Sequence, residues 1–200
     1  MIRETHIDRN INRLLAHFGS RLVGRPPATA SELASLGELA GPLPRDLSHF
    51  FTTTNGLRLE LAVPWPYAHL WSINEMRSLT ELSAGPTMPE GFLPIAGGES
   101  ERDWIVLQPG AVHGAIVRCD PWAGPVGLVA SCFETYFDGW TSFAVKNFDR
   151  QGRRRAEGPA MAFGGAGRHD PELHRLRSHP DAQALVGELR MSVACGADFE

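Results

Sequence analysis

Three carboxylates, Glu99, Glu101 and Asp103, stand at alternate positions in the stretch GGESERDW. In an extended backbone alternate side chains project to one side, so such a row can bind a cation, share a proton or receive the arginines of a partner. As a loop after Gly97-Gly98, the same residues are a solvated acidic turn. No histidine or lysine lies nearby in the sequence to complete an acid–base pair, which makes catalysis the weakest of these readings. His169, His174 and His179 recur at five-residue intervals. A helical metal pair needs i, i+3 or i, i+4 spacing; five residues set successive rings about 140° apart, and Pro180 breaks the helix. These histidines read as solvent-exposed side chains.

Motifs that announce an activity are missing. The chain has no GxSxG elbow, no HExxH, no EF-hand loop and no dinucleotide fingerprint after a strand. A P-loop requires Ser or Thr after its lysine, and the chain's single lysine, Lys146, precedes Asn147. FGGAGRH, residues 163–169, superficially resembles a phosphate-cradling loop, but it follows no convincing strand and reads as a glycine-rich linker. Cys119, Cys132 and Cys195 match no CxxC or ligand spacing, and the first two sit in apolar, strand-like surroundings that suit buried, inert thiols. The sequence therefore calls for no catalytic residue, cofactor or metal. What remains is a set of aromatics. Trp71 and Trp104 lie within apolar strands and belong to the core. Trp65 and Tyr67, between prolines, and Trp122, after Asp120-Pro121, are loop aromatics of the kind that anchor an interface or close the edge of a core.

The elements that must position these residues are legible as alternations of period. Residues 2–18 form an amphipathic helix with Ile7, Ile11, Leu14, Leu15 and Phe18 on one side, ended by Gly19, Gly24 and Pro26-Pro27, which make a short linker. Thr29 or Ser31 caps a second helix carrying Leu33, Leu36 and Leu39. In LPRDLSHFFTTTNG, residues 43–56, Pro44 suits a first helical turn and Leu47, Phe50 and Phe51 form an apolar face. The β-branched run Thr52 to Thr54 weakens that helix, and Asn55-Gly56 turns the chain. The period then becomes two, predicting a strand over 57–63. A second short strand over 68–73 leads into a helix that starts at Ser72 or Asn74 and runs to about residue 83. Further strands fall at 92–96, 104–108, 113–119 and 126–131. Phe133, Phe137, Trp140, Phe143 and Ala144 then mark a helix over 133–146. After Asp149 the texture changes: residues 151–168 are rich in Gly, Ala and Arg and hold too few large apolar side chains for a core. That stretch reads as a linker or a segment ordered by docking, followed by a short helix from Asp170-Pro171 and a last one over 181–191.

The 200 residues suit one domain with appendages, and 42% apolar with 21% charged residues is the composition of a globular protein. No apolar run approaches the roughly 20 residues that span a bilayer. The charged N-terminus lacks the apolar middle of a signal peptide, so the expected location is the cytoplasm. The net charge of −4 is unevenly spread. Residues 1–27 hold five Arg against two acids, residues 28–148 hold six basic groups against thirteen acids, and residues 149–200 balance at eight each. An acidic middle opposes the counterion release that drives nucleic-acid binding and favours a basic protein partner; it is equally the mark of an ordinary solvated surface.

Five stretches, in this order, carry a family resemblance: ATASELASLGELAG, LPRDLSHFFTTTNG, LWSINEM, LPIAGGESERDWIVL and ASCFETYFDGW. Together, residues 28–148 resemble the SUKH superfamily, which includes the yeast Smi/Knr cell-wall assembly regulators and many bacterial immunity proteins. The resemblance implies an α+β fold, a mixed or largely antiparallel sheet with helices packed against it. It divides the chain into an N-terminal helical extension (1–27), the SUKH-like domain (28–148), and a linker with a helical C-terminal tail (149–200). It implies a non-enzymatic protein that neutralises a cognate toxin, often a nuclease or nucleic-acid deaminase, by binding it. A regulatory scaffold of the Smi/Knr type is the alternative, and an enzyme using Glu99, Glu101 and Asp103 with a divalent metal is a distant third. The family supplies no catalytic residues to carry over. An acidic row suits the basic active site of a nuclease, so the expected partner-binding residues are Glu99, Glu101 and Asp103, ringed by Trp65, Tyr67 and Trp122.

Overall fold

Helix, turn and strand meet where residues 43–56 predict. The computed structural model describes residues 4–81, 91–97, 102–120, 124–155 and 170–196. In it Pro44 precedes helix Arg45–Thr53, whose Leu47, Phe50 and Phe51 are buried. The chain reverses at Asn55 and Gly56. Gly56 has φ +95°, and a Cβ there would sit 2.8 Å from the Ser72 nitrogen and 3.0 Å from the Leu70 oxygen. Only glycine tolerates both the backbone angle and that approach. Asn55 uses its side-chain oxygen to accept the Ile73 amide at 2.9 Å, fixing the start of the next helix against the turn.

Among the described residues the strands form one seven-stranded sheet in sequence order, with every pairing antiparallel. They are β1 (Leu22–Gly24), β2 (Leu57–Leu59), β3 (His69–Leu70), β4 (Phe92–Gly97), β5 (Arg102–Val106), β6 (Ile116–Asp120) and β7 (Gly124–Ala130). Two expectations change. The strand predicted over 57–63 stops at Leu59, because β3 is only two residues long and the ladder has nothing further to pair with. Beyond it, the Glu60 amide donates to Arg21 and the Ala62 amide to Gly152. The stretch read as a linker near Gly24 contributes an edge strand, with Leu22 opposite Leu59 and Gly24 opposite Leu57.

Successive side chains point to opposite faces of a strand, and here both faces are buried over part of the sheet. The first face carries Leu57, Leu70, Leu93, Ile105 and Ile116 beneath helices α1 (His6–Phe18), α2 (Ala30–Ala40), α3 (Arg45–Thr53), α4 (Ile73–Glu81) and α5 (Phe133–Asn147). Phe50 of α3 meets Phe133 and Phe137 of α5 with ring centroids 5.0 and 5.4 Å apart. Three helices begin with a residue that both gives and receives a cap: Thr5 with Asp8, Thr29 with Glu32, and Ser72 with Glu75. Helix α5 begins at Cys132, which does not cap it; Asp46 of α3 accepts the Glu134 amide at 2.8 Å instead.

The second face carries Phe92, Trp104, Val106, Val117 and Leu128, and the C-terminal helices cover it. These are α6 (Pro171–Arg177) and α7 (Pro180–Gly196), which press Leu173, Ala182, Leu185 and Leu189 onto it. Asp170 fastens the cover. Its buried carboxylate accepts the Ser131 amide (2.7 Å), the Ser131 hydroxyl (2.8 Å), the Thr135 hydroxyl (3.2 Å) and the Leu173 amide (3.0 Å). The start of the expected linker is also built. Asp149 accepts the amides of Gln151 and Arg153, and Phe148 pairs with Arg154. The glycine-rich stretch 163–169 lies outside the described residues.

Replacing Gly56 by alanine is expected to destabilise the fold by about 3 kcal/mol, through backbone strain and contact with Ser72 and Leu70. Urea unfolding reads this as a lower midpoint at unchanged slope. A purely unfolded-state effect of the added methyl would have the opposite sign.

Candidate functional site

The structure separates the residues expected to form one surface. Trp65 is 4% exposed and stacks on Trp140 and Phe143, with centroids 5.5 and 5.2 Å away. Tyr67 is buried, its carbonyl accepts the Trp140 indole N–H at 2.6 Å, and its ring lies 4.3 Å from the Arg118 guanidinium carbon. Both close the core, because the proline-bounded loop folds over the C-terminal half of α5. Asp103 is completely buried, which corrects the expectation of a three-carboxylate surface row. It shares its face of β5 with Ile105, toward α5, while Trp104 and Val106 face the other way. Glu99, Glu101 and Trp122 lie outside the described residues.

Asp103 is the centre of a buried polar network. Arg118, directly opposite on β6, donates Nε at 2.8 Å and a terminal nitrogen at 2.9 Å, a bidentate fork, and the Tyr136 hydroxyl of α5 donates at 2.7 Å. Burial alone would lower the Arg118 pKa, but the hydrogen bonds and charge of Asp103 raise it. Burial, reinforced by the Asp103 charge, drives the Tyr136 hydroxyl well above its ordinary range. Arginine stays charged and tyrosine neutral near pH 7, so this pair holds fixed charge and exchanges no proton there.

A cleft, in contrast, gathers the stretches that carry the family resemblance. Its volume is about 520 Å³, and Trp71, Asn74, Glu75 and Ser78 from the LWSINEM segment and α4 face Gly97 and Arg102 across it. A neighbouring cavity of about 140 Å³ shares His69 and Glu75 and is lined by Arg25, Gly56 and Arg58. Glu75 organises this corner. Its carboxylate accepts the Ser72 amide (2.8 Å) and hydroxyl (2.7 Å) and pairs with Arg25 (2.7 Å) and His69 (3.3 Å). The backbone and hydroxyl hydrogen bonds from Ser72 outweigh desolvation and hold its pKa below the usual carboxylate value. Desolvation lowers the His69 pKa despite the Glu75 charge, leaving a neutral imidazole at pH 7.

The cleft lies at one end of the sheet. Gly97 pairs with Arg102, Arg102 with Cys119, and Asp120 with Gly124, so the β4–β5 and β6–β7 connections both leave the sheet at that end. The sequence assigns Arg25, His69 and Arg102 to no site, and Asn74 only to a candidate helix start. The Ser-x-x-Glu capping pattern in LWSINEM was the available signal for Glu75, but its partner Arg25 is 50 residues away. The remaining candidates stay apart. His174 is exposed, His179 contacts Asp181 at 3.7 Å, and His169 lies outside the described residues. Among the described residues no three His, Cys, Asp or Glu side chains stand close enough to hold a metal ion. Cys132 is half-buried, and desolvation raises its thiol pKa, the opposite of activation.

Two outcomes test these assignments. Asp103→Asn strands the Arg118 charge in the core and is expected to destabilise the protein by about 3–5 kcal/mol, whereas Asp103→Leu combined with Arg118→Met removes both charges and recovers a large part of that loss. Chemical denaturation of the three proteins decides between them. For His69, the unfolded chain takes up a proton below the ordinary imidazole value of 6.5 that the folded chain refuses. Stability contributed by His69 is therefore lost as pH falls through that value. His69→Asn should flatten the fall in denaturation midpoint between about pH 7.5 and about pH 5.5.

Among the described residues no helix is long and apolar enough to cross a membrane. No curated protein matches the chain. The model of the SMI1 / KNR4 family (SUKH-1) matches residues 27–139, which run from just after β1 through β2 to β7 into α5. That match covers more than half of the 200 residues and includes the Asn55-Gly56 turn, the Ser72–Glu75 cap and the Asp103–Arg118–Tyr136 network. The chain belongs to the SMI1 / KNR4 family (SUKH-1).

Proposed function

We propose that this chain is a non-enzymatic immunity protein that acts in the cytoplasm by binding a cognate toxin and occluding its active site. Membership of a family of immunity and Smi/Knr-type proteins supports a protein-binding role. The observation that carries the reading is the convergence of strand ends. The connections bearing Glu99, Glu101 and Trp122 leave the sheet at the same end, beside the cleft. The sequence between β4 and β5 carries Glu99 and Glu101, and carboxylates suit a toxin whose active site is basic because it handles nucleic acid, a nuclease or a deaminase. The polar groups best placed for chemistry, Asp103 and Glu75, are instead engaged by Arg118, Tyr136, Arg25 and Ser72.

Co-expression with the toxic domain of the proposed cognate toxin tests the function directly: protection and a stable complex are expected. Neither rescue nor complex, together with capture of envelope-assembly or housekeeping proteins, would make the chain a Smi/Knr-type scaffold. The surface has its own test. Glu99→Lys with Glu101→Lys is expected to slow association with the toxin about tenfold at low salt and to lose that effect as salt rises, while stability changes by less than about 0.5 kcal/mol. Equal association rates and equal salt slopes for both proteins would put the interface elsewhere.

A further inference from the structure

The C-terminal helices leave part of the second sheet face uncovered. They pack over Phe92, Trp104, Val106, Val117 and Leu128, whereas toward β1 and β2 the side chains of Val23 and Arg58 are exposed. The cleft lies at the end of the sheet, between α4 and the Gly97–Arg102 end of β4 and β5, and one of its walls is Arg102. The Nε of Arg102 is buried and has no hydrogen-bond partner among the described residues. A buried donor left unpaired destabilises the protein that carries it, so a ligand supplying an acceptor gains from its capture.

We propose that this cleft is a carboxylate-binding site, in which the Arg102 guanidinium receives an acidic side chain of a protein partner. Among the described residues, the other charges at the cleft and the cavity beside it are already matched. Glu75 is held by Arg25, His69 and Ser72, and Arg58 pairs with Glu60. One guanidinium fork fits one singly charged carboxylate. A phosphate carries more charge and draws on several cations or on free amides at a helix start. At the start of α4 two of these amides are already taken, Ile73 by Asn55 and Glu75 by the Ser72 hydroxyl. Asn74 and Ser78 bring an amide and a hydroxyl to the same cavity, and Trp71 and Leu79 give apolar surface for the methylenes of a glutamate. The identity of the source as a protein rests on the protein-binding reading above; the carboxylate chemistry does not.

The test uses the full chain and no toxin, so failure of toxin neutralisation and failure of this site are told apart. A short capped peptide of alternating Glu and Gly is titrated while NMR follows the Arg102 Nε–H and the Trp71 indole. Saturable shifts at both are expected, with none from the Gln–Gly counterpart. Arg102→Gln is expected to weaken the peptide about tenfold, Arg102→Lys to weaken it less, and Arg150→Gln, outside the cleft, to leave it unchanged. If Arg102→Gln unfolds the protein, Arg102→Lys carries the measurement, since it keeps the charge without the fork. Unchanged binding in the Arg102 variants overturns the proposal. So does tighter binding of inorganic phosphate or of a nucleoside monophosphate than of the peptide at these same residues.

Discussion

Everything at the candidate site depends on the contact between a two-residue turn and the first turn of a helix. Gly56 brings its backbone so close to Ser72 that no side chain fits between them, and Asn55 caps the amide of Ile73 from the other side. With Ser72 thereby placed, its amide and hydroxyl fix the Glu75 carboxylate, and Glu75 in turn fixes Arg25 on the segment after β1 and His69 on β3. The segment after β1, the turn before β2, strand β3 and helix α4 are thereby joined. The turn is consequently a structural requirement of the cleft, although it supplies no chemical group to it.

The second internal constraint is ionic. Asp103 and Arg118 face each other across β5 and β6, and Tyr136 ties them to α5. A buried pair of this sort gives little net stability over apolar residues of equal size, since desolvation offsets the attraction. Its effect is on register. Shifting β5 by one residue would carry Asp103 to the opposite face, leaving Arg118 and Tyr136 without an acceptor. Both faces of this strand are apolar, so hydrophobic pattern alone leaves its register weakly specified, and the carboxylate resolves it.

The sequence was most informative where the physics is local. Apolar stripes located the long helices, and reciprocal caps such as Thr29 with Glu32 are readable as two letters three residues apart. The Asn-Gly turn was equally plain. Strands of two or three residues carry no period, so β1 passed for a linker and β2 for a longer strand. Asp103 misled for a related reason. Alternation placed it with Glu99 and Glu101, but it also placed it with Ile105, and the deciding partner, Arg118, lies fifteen residues on. Trp65 and Tyr67 had the composition of interface anchors and the location of core; only the position of Trp140, more than seventy residues later, distinguishes the two. The cleft was not legible at all, being assembled from segments that no local pattern connects.

The C-terminal cover bears on how the molecule opens. Its polar anchors are Asp170, Asp181, which accepts the Ala111 amide, and the fork of Arg177 on the Leu128 carbonyl, at 3.1 and 2.6 Å, and its helices join the sheet late in the chain. The first-face core, by contrast, includes α1, α3 and α5, with α3 and α5 interlocked through aromatic rings. Two layers of unequal attachment are expected to form two cooperative units, the more weakly held opening first. Amides of α6 and α7 would then exchange with solvent through a sub-global excursion that leaves the meander of β4 to β7 paired. During each such excursion Trp104 and Phe92 are bared on a sheet whose outer strand is already an edge. While α6 and α7 are docked, that apolar surface is kept from pairing or stacking with another chain.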